Sequence, residues 1–330
     1  MSWQGKAGVP AIFEEGGPEF HADTQEDVRV VVAAIPREVK DGLRYDAVPW
    51  ERFHGAFGPC NDLPERLTRI QHDDLQRAGH EIDVLWDTVC HQGHPNAAGA
   101  LIAPFLIRIV LTNVHPHALR LIGALARRPH LQDGTRTGLL RTRAPAGSLT
   151  FEPSGYVGTW SVQAARQALT ADVDLLLPLL DHNAPAVRTA AAYALSAAAP
   201  PARAGITAAL HARLDDEDDP VTRASLVLAI GELAWEQRDA DTTARTLAWW
   251  RDPTRPTEVR MSAALAWLCL VDDPIPADLD TFFDTEATDR LATLLTPVPW
   301  FRDLAEKEGL RTALTQMRNP DDYAWIADLY

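Results

Sequence analysis

The chain has 330 residues, 46% of them hydrophobic, enough for one large or two ordinary domains with a sizeable core. Its 46 acidic residues outweigh 31 basic ones, for a formal net charge of -15, which excludes a surface built to neutralise nucleic-acid phosphates. No run of about 18 apolar residues is present, "GALIAPFLIRIVLT" being broken by Arg108, and the first residues carry acid and proline instead of a signal-peptide core, so the expectation is a soluble, cytoplasmic protein with no membrane partner.

Residues 1–45 open on a Gly/Pro-rich stretch and hold one apolar run, "DVRVVVAAIP", short enough for a helix or a strand; they read as an N-terminal extension of uncertain structure. From residue 46 to 330 the pattern is helical. A helix running to about Cys90 stops at "HQGHP": Gly93 breaks it, Pro95 precedes the next helix, and His91 and Gln92 are placed to hydrogen-bond its last carbonyls. "PHALRLIGALARR" (116–128) is a further helix. Residues 130–160 are rich in Gly, Pro, Ser and Thr without helical period, which is long for a structureless connection; this insertion carries Arg136, Arg141 and Arg143 in an acidic protein. "SVQAARQALTADVDLLLPLLDH" (161–182) reads as another helical pair.

Between residues 181 and 271 one pattern returns. "PAVRTAAAYALSAAA", "PVTRASLVLAIGELA" and "PTEVRMSAALAWLCL" begin at Pro185, Pro220 and Pro256, and their arginines Arg188, Arg223 and Arg260 recur at intervals of 35 and 37 residues. Apolar residues fall at i, i+4, i+7, i+8 and i+11, as in Val187, Ala191, Ala194, Leu195 and Ala198, which predicts helices with one buried face. Each is followed by a second helix, near 201–214, 240–251 and 276–284. Aligning Arg120 with Arg188 places an earlier copy two repeats upstream. The expected fold is all-α, a right-handed α-solenoid of antiparallel helix pairs.

"VRTAAAYAL" and "VRMSAALAWL" resemble HEAT repeats of the kind often labelled phycobilisome-lyase-like. "WERFHGAFGPCNDLPERLTRI" (50–70), "HQGHPNAAGALIAPFLIRIV" (91–110), "DLLLPLLDHNAPAVRTAAAYAL" (174–195) and "PVPWFRD" (297–303) resemble successive landmarks of a group of HEAT-repeat proteins common in actinobacteria. The resemblance implies the solenoid fold and carries no established activity; the lyase label describes repeat shape and gives no warrant for chromophore attachment. In those relatives "HQG" is common, whereas Cys90 and His94 stand outside the pattern.

A zinc site needs about four ligands, commonly in paired short spacings; Cys90, His91 and His94 form one cluster with no second, so no metal or other cofactor is expected. The three cysteines are few, odd in number and far apart, against a disulfide framework. A di-iron centre would need several His-Glu pairs where only His80–Glu81 occurs, and no phosphate loop or nucleophile elbow is present.

Two features remain for binding. Asp215, Asp216, Glu217, Asp218 and Asp219 precede a helix, either as a solvated turn that caps it or as an acidic rim that steers a basic partner. Trp249 and Trp250 point about 100° apart on one helix, so the expectation is one core ring and one outward ring, flanked by Arg245 and Arg251, as an interface anchor. The sequence therefore reads as a non-catalytic scaffold or adaptor for another protein, a basic one by charge, with no small-molecule ligand expected. The alternative is an enzyme or accessory factor with its site at the 90–94 turn and the 130–160 loop.

Overall fold

The computed structural model describes residues 25–127, 139–140, 149–152, 154–200, 202–272, 274–302 and 309–319; Arg136, Arg141 and Arg143 lie outside these. The protein is mostly helical, and among the described residues no helix is long and apolar enough to cross a membrane. Helices α1 (Val28–Ala34) and α2 (Arg37–Asp41) lead through two 3-10 turns to a hairpin of β1 (His54–Gly55) and β2 (Gly58–Pro59). Helices α3 (Leu63–His72) and α4 (Leu75–Val89) precede a second hairpin, β3 (Cys90–His91) with β4 (His94–Pro95). Then come α5 (Ala97–Thr112), α6 (Pro116–Leu125), α7 (Gly158–Ala171), α8 (Val173–Leu176) with a 3-10 turn to Asp181, α9 (Pro185–Ser196) and α10 (Arg203–Asp216). Helices α11 (Pro220–Gln237), α12 (Ala240–Arg251), α13 (Thr257–Leu270), α14 (Ala277–Glu286), α15 (Asp289–Leu295), α16 (Pro299–Arg302) and α17 (Gly309–Arg318) complete the described chain.

Of the 1–45 segment, residues 25–45 are described. The run "DVRVVVAAIP" is helix α1, started by the Asp27 side chain accepting from Arg29 N, and it packs on α5 and α7 with Val28 fully buried. Residues 1–24 lie outside the described residues.

The repeat helices follow each other in space: α6 packs on α9, α9 on α11 and α11 on α13. Pro185 and Pro220 occupy the first turns of α9 and α11, and Pro256 stands just before α13, where a missing N–H costs nothing. The single buried face expected from the periodicity is corrected by this arrangement. Helix α9 is buried continuously from Val187 to Ser196, α11 from Ala224 to Ala234, and α13 from Met261 to Cys269, because each is covered on several sides. Alanine and glycine permit the close approach; a Cβ on Gly231 would sit 2.7 Å from that of Ala266.

The repeated arginine has a shared task. Arg188 donates to the carbonyls of His182 and Asn183 before its own helix, at 2.8 and 3.1 Å, and holds both oxygens of Glu217 at 2.7 Å from the turn before the next repeat. Arg223 repeats this, donating to the carbonyls of Glu217 and Asp218 and to Glu258 at 2.5 Å. Arg260 donates to Trp250 O, lies 3.7 Å from Glu286 and covers the ring of Phe282. Each guanidinium thus satisfies loose carbonyls at one turn and bolts it to the following unit. Arg120 lies over the ring of Trp86.

Glu217 has no exposed side-chain surface, so its charge depends on these donors. Arg188→Met is expected to cost about 3 kcal/mol in urea unfolding by stranding that carboxylate, and R188M/E217L to recover most of the loss. An R188M/E217L protein as unstable as R188M would show that the pair does not act as a unit.

Candidate functional site

The "CHQGH" stretch is a two-residue β-hairpin. Gln92 and Gly93 take positive φ values of 51° and 81°, the left-handed pair that such a turn requires, and His91 faces His94 across it. The end of α4 is satisfied from elsewhere, which corrects the expected role of His91 and Gln92: Thr88 O accepts from Asn96 Nδ2 at 2.8 Å and from Ala56 N at 2.9 Å. Asn96 also caps α5 by accepting from Gly99 N. Cys90 is buried, while the His91 ring meets the exposed Phe57 ring of the first hairpin at 5.1 Å. Among the described residues no group of three or more His, Cys, Asp and Glu side chains is arranged to hold a metal.

The acidic run divides. Asp215, Asp216 and Asp218 are exposed, but Glu217 turns inward and Asp219 caps α11 by accepting from Thr222 N at 2.8 Å. Burial alone would raise the Glu217 carboxyl; the bonds from Arg188, Asp219 N and Arg213 outweigh it and hold it at about 2. Glu217 is therefore part of the frame and not of a rim.

The tryptophan pair also departs from expectation: both rings are buried, Trp249 at 8% exposure and Trp250 at 3%. Trp250 packs against Trp267 and Phe282, and Trp249 against His211 with Arg255 over its face. The 100° between them is accommodated because α13 covers one ring while side chains from α10 and the following turn cover the other. Arg245 is engaged by His211, and Arg251 by Asp278 at 3.0 Å. Neither indole of this pair is left outward as an anchor.

The structure instead assembles a cavity that no sequence pattern marks. It has a volume of about 240 Å³ and is lined by Gln25, Glu26, Arg52, Phe53, His54, Ala97, Glu152, Ser154 and Tyr156, drawn from four separate stretches of chain. Glu152 and Tyr156 are drawn together, with Glu152 N donating to Tyr156 O, Gly155 N donating to Glu152 O, and Gly155 at φ 81°. Tyr156 is tied to the start of α1, its hydroxyl accepting from Val28 N at 2.9 Å and donating to Glu26 O at 2.8 Å.

Glu152 lies deep, at 6% exposure, between the first turns of α5 and α7. Its carboxyl accepts from Ser161 Oγ at 2.8 Å, from Ser154 Oγ at 3.3 Å and from Ala97 N. Burial pushes it up to about 7, against the lowering effect of those donors. Phe53 and Tyr156 meet edge to face at 6.1 Å, and Arg52 pairs with Glu26 at 2.9 Å. His54 is exposed at the rim. The expected insertion thus contributes Glu152, Ser154 and Tyr156 to the cavity lining, whereas the 90–94 hairpin does not line it. Glu152 was legible only as a lone carboxylate between aromatic and glycine residues.

Comparison with family models, curated proteins and solved structures gives no match. Function rests on the geometry.

A carboxyl raised in the folded state keeps its proton there while the unfolded chain loses its own, so its contribution is full below about pH 4.5 and is lost as pH rises through about 7. Wild type is expected to lose about 3 kcal/mol more than Glu152→Gln between these limits in urea titrations at stepped pH. Parallel pH profiles for the two proteins would contradict the assignment.

Proposed function

We propose that the protein is a non-catalytic scaffold or adaptor, a right-handed superhelical array of HEAT-like antiparallel helix pairs that binds another protein on its curved surface. The observation that carries this reading is the exposed acid left over once the frame is built. Asp215, Asp216 and Asp218 stand in solvent on one turn, and Asp181, 81% exposed, stands on the neighbouring turn to which Arg213 reaches. Arginine is consumed by the packing, Arg188 and Arg223 among them, so these carboxylates keep their field. With a net charge of -15, that field favours a basic partner and speeds its arrival. A sharper form is an inhibitor or immunity-type protein that masks a basic, nucleic-acid-binding surface. The cavity beside Glu152 favours a second reading, an accessory factor or enzyme of a small-molecule or modification pathway, with its site at Glu152, Ser154 and Tyr156.

The test is affinity purification from the native host, followed by binding measurements with the purified partner. A stoichiometric basic protein is expected, with an affinity that falls with salt and drops at least about tenfold in D215K/D216K/D218K, which leaves Glu217 and its pairs intact. An affinity indifferent to both salt and charge reversal would sink the acidic-edge reading, and a partner lost with Glu152→Gln alone would move the site to the cavity.

A further inference from the structure

We propose that the cavity beside Glu152 binds an alkylammonium group, carried either by a free small amine or by a lysine side chain of another polypeptide. The inference goes beyond the scaffold reading and does not depend on it.

The cavity's volume of about 240 Å³ accepts a short alkyl chain with its head group and little more. Phe53 and Tyr156 supply aromatic surface along its wall, and the Glu152 carboxyl lies at its depth. An ammonium is attracted by ring faces and by a carboxylate alike, and both attractions strengthen away from water.

Three observations fix the sign of the ligand. Glu152 accepts from Ala97 N in the first turn of α5, the place an anionic ligand would take at a helix N-terminus, so that place is filled from within. The guanidinium of Arg52 at the rim is paired with Glu26, so the lining offers an anion no uncommitted guanidinium. Gln25 is oriented by donating Nε2 to Gly155 O at 2.9 Å, which leaves its Oε1 buried without a donor. An acceptor is therefore left over beside the cavity, and an ammonium head group supplies a donor for it. The alkyl stem of such a ligand would cover the apolar surface of Phe53 and Tyr156, which a metal ion would not do.

The full chain is titrated calorimetrically, at about pH 8 where most of Glu152 is ionised, with n-butylammonium chloride, with n-butanol as the neutral analogue, and with Nα-acetyl-lysine amide, whose ε-ammonium is free. Butylammonium is expected to bind at least about tenfold tighter than butanol, and Glu152→Gln to abolish that preference while keeping the helical circular dichroism. His54→Glu at the exposed rim is a second variant, expected to tighten butylammonium binding about threefold, and it keeps the test open should Glu152→Gln unfold. Acetyl-lysine amide binding as well as butylammonium assigns the site to a polypeptide lysine; its exclusion assigns the site to a free amine. Equal binding of butylammonium and butanol, no heat from either up to about 10 mM, or indifference to both substitutions would overturn the proposal.

Discussion

The packing depends most on one buried carboxylate. Glu232 sits mid-way along α11 at 1% exposure and accepts from Arg127 Nε and Nη2 at 2.9 Å, from Ser196 Oγ at 3.0 Å and from Trp300 Nε1 at 2.9 Å. These donors come from the end of α6, from α9 and from α16. A buried charge is tolerated only with its partners in place, so a slide of any of these helices would strand it. Arg127 is held in turn by Gly123 O and Tyr193 O and lies 3.7 Å from the centre of the Tyr193 ring. A Cβ on Gly123 would come within 2.6 Å of Tyr193 and 2.8 Å of Arg127, so the residue there is glycine for reasons of space.

From that constraint the distribution of charge follows. Arg166 and Arg203 converge on Glu236 one turn further along α11, Arg108 is held by Asp172 and Asp41, and Arg188 and Arg223 bridge successive repeats. Many guanidiniums are spent inside, where each one fixes a register. Carboxylates exceed arginines and lysines in the chain, so part of the acid is left on the turns. The acidic surface is thus a remainder of how the interior is built, and the same remainder gives the protein its long-range field.

The Glu152 cavity has another origin. Two short hairpins take the chain around sharp corners: a Cβ on Gly55 would come within 2.8 Å of Cys60 Sγ and 2.9 Å of Thr88 O, and Asn96 ties the second hairpin back to α4. The β1 hairpin brings His54 to the rim, while the second hairpin delivers Ala97 at the start of α5. Glu152 then accepts from Ala97 N at that start, and Tyr156 is pinned to the beginning of α1, separated by 128 residues in sequence. Ala97 at the start of α5, Gln25 and Glu26 before α1, residues 52–54 at the first hairpin, and Glu152, Ser154 and Tyr156 line the cavity between them.

The sequence by itself determined the helices and their repeat. Prolines at the helix starts, the recurring arginine and the 3.6-residue periodicity are local signals, and α9 to α14 lie close to where those signals place them. It also marked the turn at Gly93, because a glycine adopts the positive φ that such a turn needs without a Cβ clash. What tertiary structure alone decided is which polar groups face inward. Glu217 and Asp218 are adjacent carboxylates, yet one is buried by Arg188 and the other left in solvent; Trp249 and Trp250 both find cover because neighbouring helices approach from two sides. Glu152 acquires its environment from Ala97, Ser161 and Phe53, each distant or on another element. Periodicity reports which face of a helix is apolar, but the identity of the facing element, and so the fate of a charge or a ring, is set by long-range packing that no local pattern encodes.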